Sequence, residues 1–314
     1  MDVRELWEAR RRGRFTLKHW AWAWLISARP IAVPWVALYT LFGCLLAGIA
    51  DPVACAGAVL TVVFTLLASH FFNNYLDVVL GVDRFVDDPA EAGRVVSSLK
   101  PYTGAAWLVP LRITPVWFQR ANAYAMLALS AATYVLLVPV NVYTLSFYIL
   151  GVSAAVLYTP FFKPKRLGEV AAFLGHGFST VTFGYLSQSH DVVSAILAGI
   201  PAGLISALAY SVDQFLDIRT DFVRRVRSIY ESWFNSRMPL GLYVIIAVVV
   251  FFNVLVAWVA AGIYPAGTLL AMAIMPLIMY RAPALEWDRE KALRDIALIV
   301  VWLLPMLMCI GVLL

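Results

Sequence analysis

Two oxygen-rich patches stand where apolar runs of this 314-residue chain end: Asn73 with Asp77, and Asp213 with Asp217 and Asp221. Within each patch the residues are four apart, which on a helix puts them on one face. Three carboxylates stacked that way repel one another and weaken the helix that carries them. A cation is needed to compensate. Mg²⁺ suits such groups, because it takes carboxylate oxygens, keeps several waters and completes its shell with phosphate. Two separated patches around a diphosphate would let metal ions neutralise the charge that builds on it as a C–O bond breaks. Arg94, Lys100, Lys163, Lys165, Arg166, Arg224 and Arg225 lie in nearby segments and suit the non-bridging oxygens as charge-assisted donors. The pattern therefore predicts a Mg²⁺ site for a diphosphate-bearing substrate with an apolar tail.

The elements that must position these residues are membrane helices. The chain is 62% hydrophobic and 14% charged, against about half and about a quarter in soluble domains, and its mean hydropathy is +0.81. A span needs about 20 mainly apolar residues, and nine runs near that length can be marked. They are Ile31 to Ala50, Pro52 to Phe72, Ala121 to Pro139, Val140 to Tyr158, Val170 to Leu186, Val192 to Phe215, Pro239 to Ala261, Pro265 to Met279 and Ile296 to Leu314.

With this segmentation all 24 Lys and Arg fall on one side: the N-terminus with Arg29, and the loops after the second, fourth, sixth and eighth runs. The opposite connections, near Asp51, Asn141, "SQSHD" and "GIYPAG", carry none. The positive-inside rule then predicts nine spans in the cell membrane, with the N-terminus and the acidic patches cytoplasmic and the C-terminus outside. Asp77 and Asp217 are four helices apart, so both emerge on one face, a pattern that suggests a weak internal duplication.

Residues 1–24 read as a basic amphipathic segment on an anionic membrane face, and 25–314 as a single domain. Basic residues confined to short juxtamembrane loops argue against nucleic acid, and no protein partner is implied. Cys44, Cys55 and Cys309 lie in apolar runs without C-x-x-C spacing, which suggests neither a disulfide framework nor a thiolate metal site. Asp87, Asp88, Glu91 and the charged loop from Glu286 to Asp295 read as ordinary solvated charge. Asn73, Asp77, Asp213 and Asp217 do not, since ionisable groups extending apolar helices are costly and functional by default.

The stretch "NNYLDVVLGVD" (Asn73 to Asp83) resembles the first aspartate-rich motif of the UbiA superfamily of intramembrane prenyltransferases, and "DQFLDIRTD" (Asp213 to Asp221) resembles the second. The form N-x-Y-x-D-x-x-x-G-x-D is closer to the 1,4-dihydroxy-2-naphthoate branch, which makes menaquinone, than to the ubiquinone branch. "LYTPFFKPKRLGEVAAFLGHG" (Leu157 to Gly177) is similar to the family's Y-T-x-P segment with its basic loop and L-G-E, and "SARPIAVPW" (Ser27 to Trp35) to its R-P start. Asn74 stands where many members have aspartate, and "FVRRVRS" replaces a G-K-x-T-like sequence.

The resemblance implies an all-α bundle of nine helices around a central cavity under a cytoplasmic cap, with Mg²⁺ bridging an isoprenyl diphosphate. By that analogy Asn73, Asp77, Asp213 and Asp217 form the metal set, with Asp83 and Asp221 nearby. Arg29, Arg94, Lys163, Lys165, Tyr158 and Arg225 are diphosphate or reaction-centre candidates.

The expected reaction is Mg²⁺-assisted ionisation of an allylic diphosphate, with capture of the cation by an aromatic carbon or another nucleophile. His70, one turn before Asn74, and His176 are candidate bases for the acceptor, or else structural histidines. Within the superfamily the alternatives are a geranylgeranylglyceryl phosphate acceptor and a terpene cyclase. A transporter is the alternative from another class; acids clustered at one face and not at the midplane argue against it.

Overall fold

The computed structural model describes residues 1–81, 86–98, 105–217, 239–286 and 289–314, with backbone alone at 212–217, 286, 289, 290, 293, 294 and 297. Among these residues every regular element is helical. The chain runs through α1 (Val3–Arg11), α2 (Leu17–Ala28), α3 (Val33–Ala47), α4 (Pro52–Val79), α5 (Pro89–Ser98), α6 (Val116–Leu137) and α7 (Val142–Leu157). It continues through α8 (Gly168–Ala172), α9 (Ser179–Leu186), α10 (Val192–Asp217), α11 (Leu240–Ala260), α12 (Met275–Arg281), α13 (Arg289–Leu298) and α14 (Leu304–Leu313).

Helix starts follow local chemistry. Asp51 caps α4 by accepting from the Val53 and Ala54 amides at 2.8 and 3.1 Å, with Pro52 at the first helical position, where its missing N–H costs nothing. Asn141 caps α7 in the same way and Thr144 closes the reciprocal bond. The basic N-terminal segment is two helices, α1 and α2. They separate at Gly13, whose φ of +65° suits a residue without Cβ.

Six stretches among the described residues are long and apolar enough to cross a membrane: Pro30–Ala47, Pro52–Val79, Val142–Phe162, Val192–Ser211, Leu240–Ala260 and Ala266–Leu285. The other three predicted runs are helical but fall short of that criterion for identifiable reasons. Helix α6 carries Arg120 and Asn122 near its start, α8 and α9 are separated by a π turn at Phe173–Phe178, and the last apolar helix, Ile299–Leu313, is short.

The largest apolar core joins α3, α10, α11, α12 and α14 through Tyr39, Phe42, Phe251, Leu255, Ile278 and Met308. Helices α2, α4 and α6 close a second around Phe71, Phe72 and Ala123. Helix α3 lies against α9 where a Cβ at Gly43 would strike the Val181 carbonyl and one at Gly184 the Thr40 carbonyl. Small residues at such crossings let backbones meet, which drives helix association where lipid removes the hydrophobic gain. Leu136, Val142, Ile149, Val193 and Val250 point outward, as lipid-facing residues would. A separate small cluster, Val3, Leu6, Ala92, Val96, Leu108 and Ile113, packs α1, α5 and residues 105–113 against α2 at Ala23 and Ile26.

Candidate functional site

Helix α4 does not stop at Phe72, where its apolar run ends, but continues to Val79. Asn73 and Asp77 therefore sit on its last turns with the shared face their spacing predicted. Asp77 is fully buried, and a carboxylate in such a place needs partners. Lys163 supplies one: its Nζ donates to Asp77 Oδ2 at 2.6 Å, and both side chains are almost wholly enclosed. Asn73 supplies another. With its amide nitrogen toward Asp77 it donates to both carboxylate oxygens, at 3.3 and 2.9 Å, and stands 2.9 Å from Thr159 Oγ1. That orientation satisfies every group in the cluster.

Lys163 and Thr159 reach α4 because of a π turn. Helix α7 widens at Tyr158–Phe162, and the Lys163 amide closes an i→i+5 bond to the Tyr158 carbonyl at 2.8 Å. Pro160 explains the widening: it lacks the N–H that would bond the carbonyl four residues back, and its ring crowds that carbonyl. Such single π turns are frequent at functional sites. Thr159 and Lys163, four apart, meet Asn73 and Asp77, four apart, on a parallel neighbour.

The same turn reaches α10. The Tyr158 and Tyr210 hydroxyls are hydrogen-bonded at 2.7 Å, their rings edge to face. Tyr210 packs over Gly168, where any Cβ would collide with its phenol. Tyr210 is three residues before Asp213, so one π turn touches the first acidic motif and stops one helical turn short of the second. Alongside, buried Glu169 accepts from Ser211 Oγ at 3.1 Å, and Ser211 lies 3.4 Å from the Tyr243 hydroxyl.

Asp213 and Asp217 occupy the final turns of α10. Asp83, Asp221, Lys100, Arg224 and Arg225 lie outside the described residues. Among the described residues no group of three or more His, Cys, Asp or Glu side chains converges. Arg29 ends α2 in the left-handed region, at φ 48° and ψ 60°, and is half-buried. Arg94 is exposed on α5. Lys165, two residues from Lys163, is also exposed and turns outward over the Phe161 ring at 3.9 Å.

Sequence reasoning missed Thr159, Tyr210 and Glu169. Thr159 stands just past the fourth run, in the Y-T-x-P segment, and Tyr210 inside the sixth; both are uncharged, and a core role is the default for such residues. Glu169 sits in the L-G-E stretch that had been noticed, but no spacing rule linked it to Ser211. Asn74, identical to its neighbour, faces elsewhere: its amide nitrogen is 3.4 Å from Gln119 Oε1, and Gln119 donates to Ser27 and Thr114 at 2.9 and 3.1 Å. The candidate bases also differ. His70 Nδ1 is 2.7 Å from the Ala28 carbonyl, whereas the His176 ring is tilted against Trp35, centroids 5.3 Å apart, with its buried Nδ1 lacking a hydrogen-bond partner among the described residues.

No family model matches the sequence. No curated protein matches it either. A solved structure of digeranylgeranylglyceryl phosphate synthase, studied in membranes, superposes with a TM-score of 0.60 at 16% identity, covering 92% of this chain and 97% of that one. The chain therefore has the helical fold of that synthase over nearly its whole length.

Proposed function

We propose that this protein is an intramembrane prenyltransferase, moving an isoprenyl group from an isoprenyl diphosphate to an aromatic, quinone-precursor acceptor with Mg²⁺. One observation carries the reading. A single π turn ties a buried carboxylate at the polar end of α4 to α10 beside Asp213, within a fold shared with digeranylgeranylglyceryl phosphate synthase. That neighbour favours a second reading of the acceptor alone, geranylgeranylglyceryl phosphate.

The donor set fits the metal. Asp77 and Asn73 offer the hard oxygens that Mg²⁺ takes, and an ammonium already rests on Asp77, so this carboxylate stands where a cation is stabilised. Asn73 would turn its amide oxygen inward and Lys163 would leave Asp77. Asp213 and Asp217 would complete the set, with Asp83 and Asp221 nearby. Bound Mg²⁺ supplies neutralisation of the charge growing on the departing diphosphate.

The protein's own residues do the rest. Lys163, freed from Asp77, donates to the diphosphate, joined by Arg29 and Arg225. Such preorganised donors are the largest share of the catalysis asked for. The Tyr158–Tyr210 pair walls the reaction centre, and apolar surroundings keep water from quenching the cation. In this proposal the nine helical runs span the cell membrane around a central cavity. The α1–α5 cluster caps it on the cytoplasmic side, and the C-terminus lies outside.

The test is Mg²⁺-dependent pyrophosphate release from geranylgeranyl diphosphate by the purified protein, with 1,4-dihydroxy-2-naphthoate, with geranylgeranylglyceryl phosphate, and with neither. Release requiring one acceptor, yielding its prenylated product, and lost by at least about 10³-fold in Asp77→Ala and Asp217→Ala is expected, the scale of an electrostatic transition-state stabiliser. Release without acceptor would replace the reading with a cyclase. Tight diphosphate binding with no release would favour a transporter.

A further inference from the structure

We propose that His70 is the general base of the transfer, taking the hydroxyl proton of the acceptor on Nε2; this rests on the prenyltransferase reading above. The acceptor class follows: a molecule whose nucleophile is an O–H oxygen, or a ring carbon conjugated with one.

Position comes first. His70 precedes Asp77 by seven residues, which at about 100° per residue returns it to within about 20° of the same helix face. It lies about 4.5 Å along the axis from Asn73 and about 10 Å from Asp77, toward the apolar part of α4. A diphosphate held at Asp77 with its tail running into the bilayer would place the reacting carbon between the two.

The tautomer is fixed by the backbone. Ala28 is the last residue of α2, where carbonyls lack intrahelical partners, and its oxygen is 2.7 Å from His70 Nδ1. A carbonyl only accepts, so Nδ1 carries the proton and Nε2 keeps the lone pair. Nε2 has no hydrogen-bond partner among the described residues, and the side chain is half-buried. His176 Nδ1 has no hydrogen-bond partner among the described residues to orient its ring in this way.

In the step itself the C1–O bond breaks with its electron pair passing to diphosphate. The acceptor's nucleophilic atom bonds C1, and the hydroxyl proton passes to Nε2.

His70→Asn is the informative variant, because an asparagine amide nitrogen can keep the bond to Ala28 while offering no base. Expected are an unchanged thermal unfolding profile, binding of the Mg²⁺ complex of a non-ionising diphosphate analogue within about twofold of wild type, and transfer slower by about 10²- to 10⁴-fold. His70→Gly should regain part of its activity with added imidazole. Transfer by His70→Asn within about threefold of wild type would overturn the base assignment and leave the prenyltransferase reading intact. So would loss of analogue binding in step with rate. A wild-type protein that transfers to no hydroxyl-bearing acceptor would remove both.

Discussion

Asn73 and Asn74 are adjacent, identical and about 100° apart on α4, and they belong to different machines. Asn73 holds Asp77 and meets Thr159 on the π turn. Asn74 is buried with Gln119, Ser27 and Thr114, a neutral network that ties α4 to α2 and α6. The first face is built on a charge pair, which the proposed function has exchanging its ammonium for Mg²⁺. The second has no charge and no reason to change on binding. What separates function from scaffold at this helix end is the partner each residue faces, not its chemistry.

The largest effect should come from breaking the charged face. Lys163→Met leaves the Asp77 carboxylate buried without its ammonium, which in comparable pairs costs about 3–5 kcal/mol, and it removes the proposed diphosphate donor. Thermal unfolding in detergent should drop accordingly, with transfer lost. Adding Asp77→Leu should recover most of the stability, since apolar replacement of a buried pair is often neutral, and none of the activity. If Lys163→Met proves as stable as wild type, the pair is no structural unit and the contrast between the two faces collapses.

On the neutral face, Gln119→Leu strips partners from Asn74, Ser27 and Thr114. An unsatisfied buried polar group costs about 1–3 kcal/mol, so the melting temperature should fall. Transfer at a permissive temperature should stay within about threefold of wild type, because no member touches Asp77. A selective loss of transfer at full stability would show that the network is part of the site after all.

How far the sequence reaches is visible in these residues. The four-residue spacing of Asn73 and Asp77 fixed their shared face, since helix periodicity is a local property. Apolar runs located the helices but not their ends: α4 runs on to Val79 because a helix continues wherever its polar groups find partners, and those partners lie about 86 positions away. The π turn was illegible as such. Pro160 signals a break in the hydrogen-bond ladder, but not that the backbone answers it by widening. Tyr210 is likewise silent, one tyrosine in an apolar run until its hydroxyl is seen on Tyr158. The N-terminal segment read as one amphipathic stretch, although Gly13 and the Thr16 cap of α2 were there to divide it.

The smallest effect should come from the lysine that looks most like Lys163. Both lie in one basic loop and both were diphosphate candidates, yet Lys165 is exposed over Phe161, where a cation–π contact contributes about 0.5–1 kcal/mol. Lys165→Ala should therefore lower stability by no more than that and leave the affinity for the Mg²⁺–diphosphate analogue within about twofold of wild type. Isothermal titration of Lys163→Met and Lys165→Ala side by side decides the matter. Binding lost at Lys165 and kept at Lys163 would mean that the diphosphate sits on the outward side of the loop, and that the buried Asp77–Lys163 pair only fastens α7 to α4.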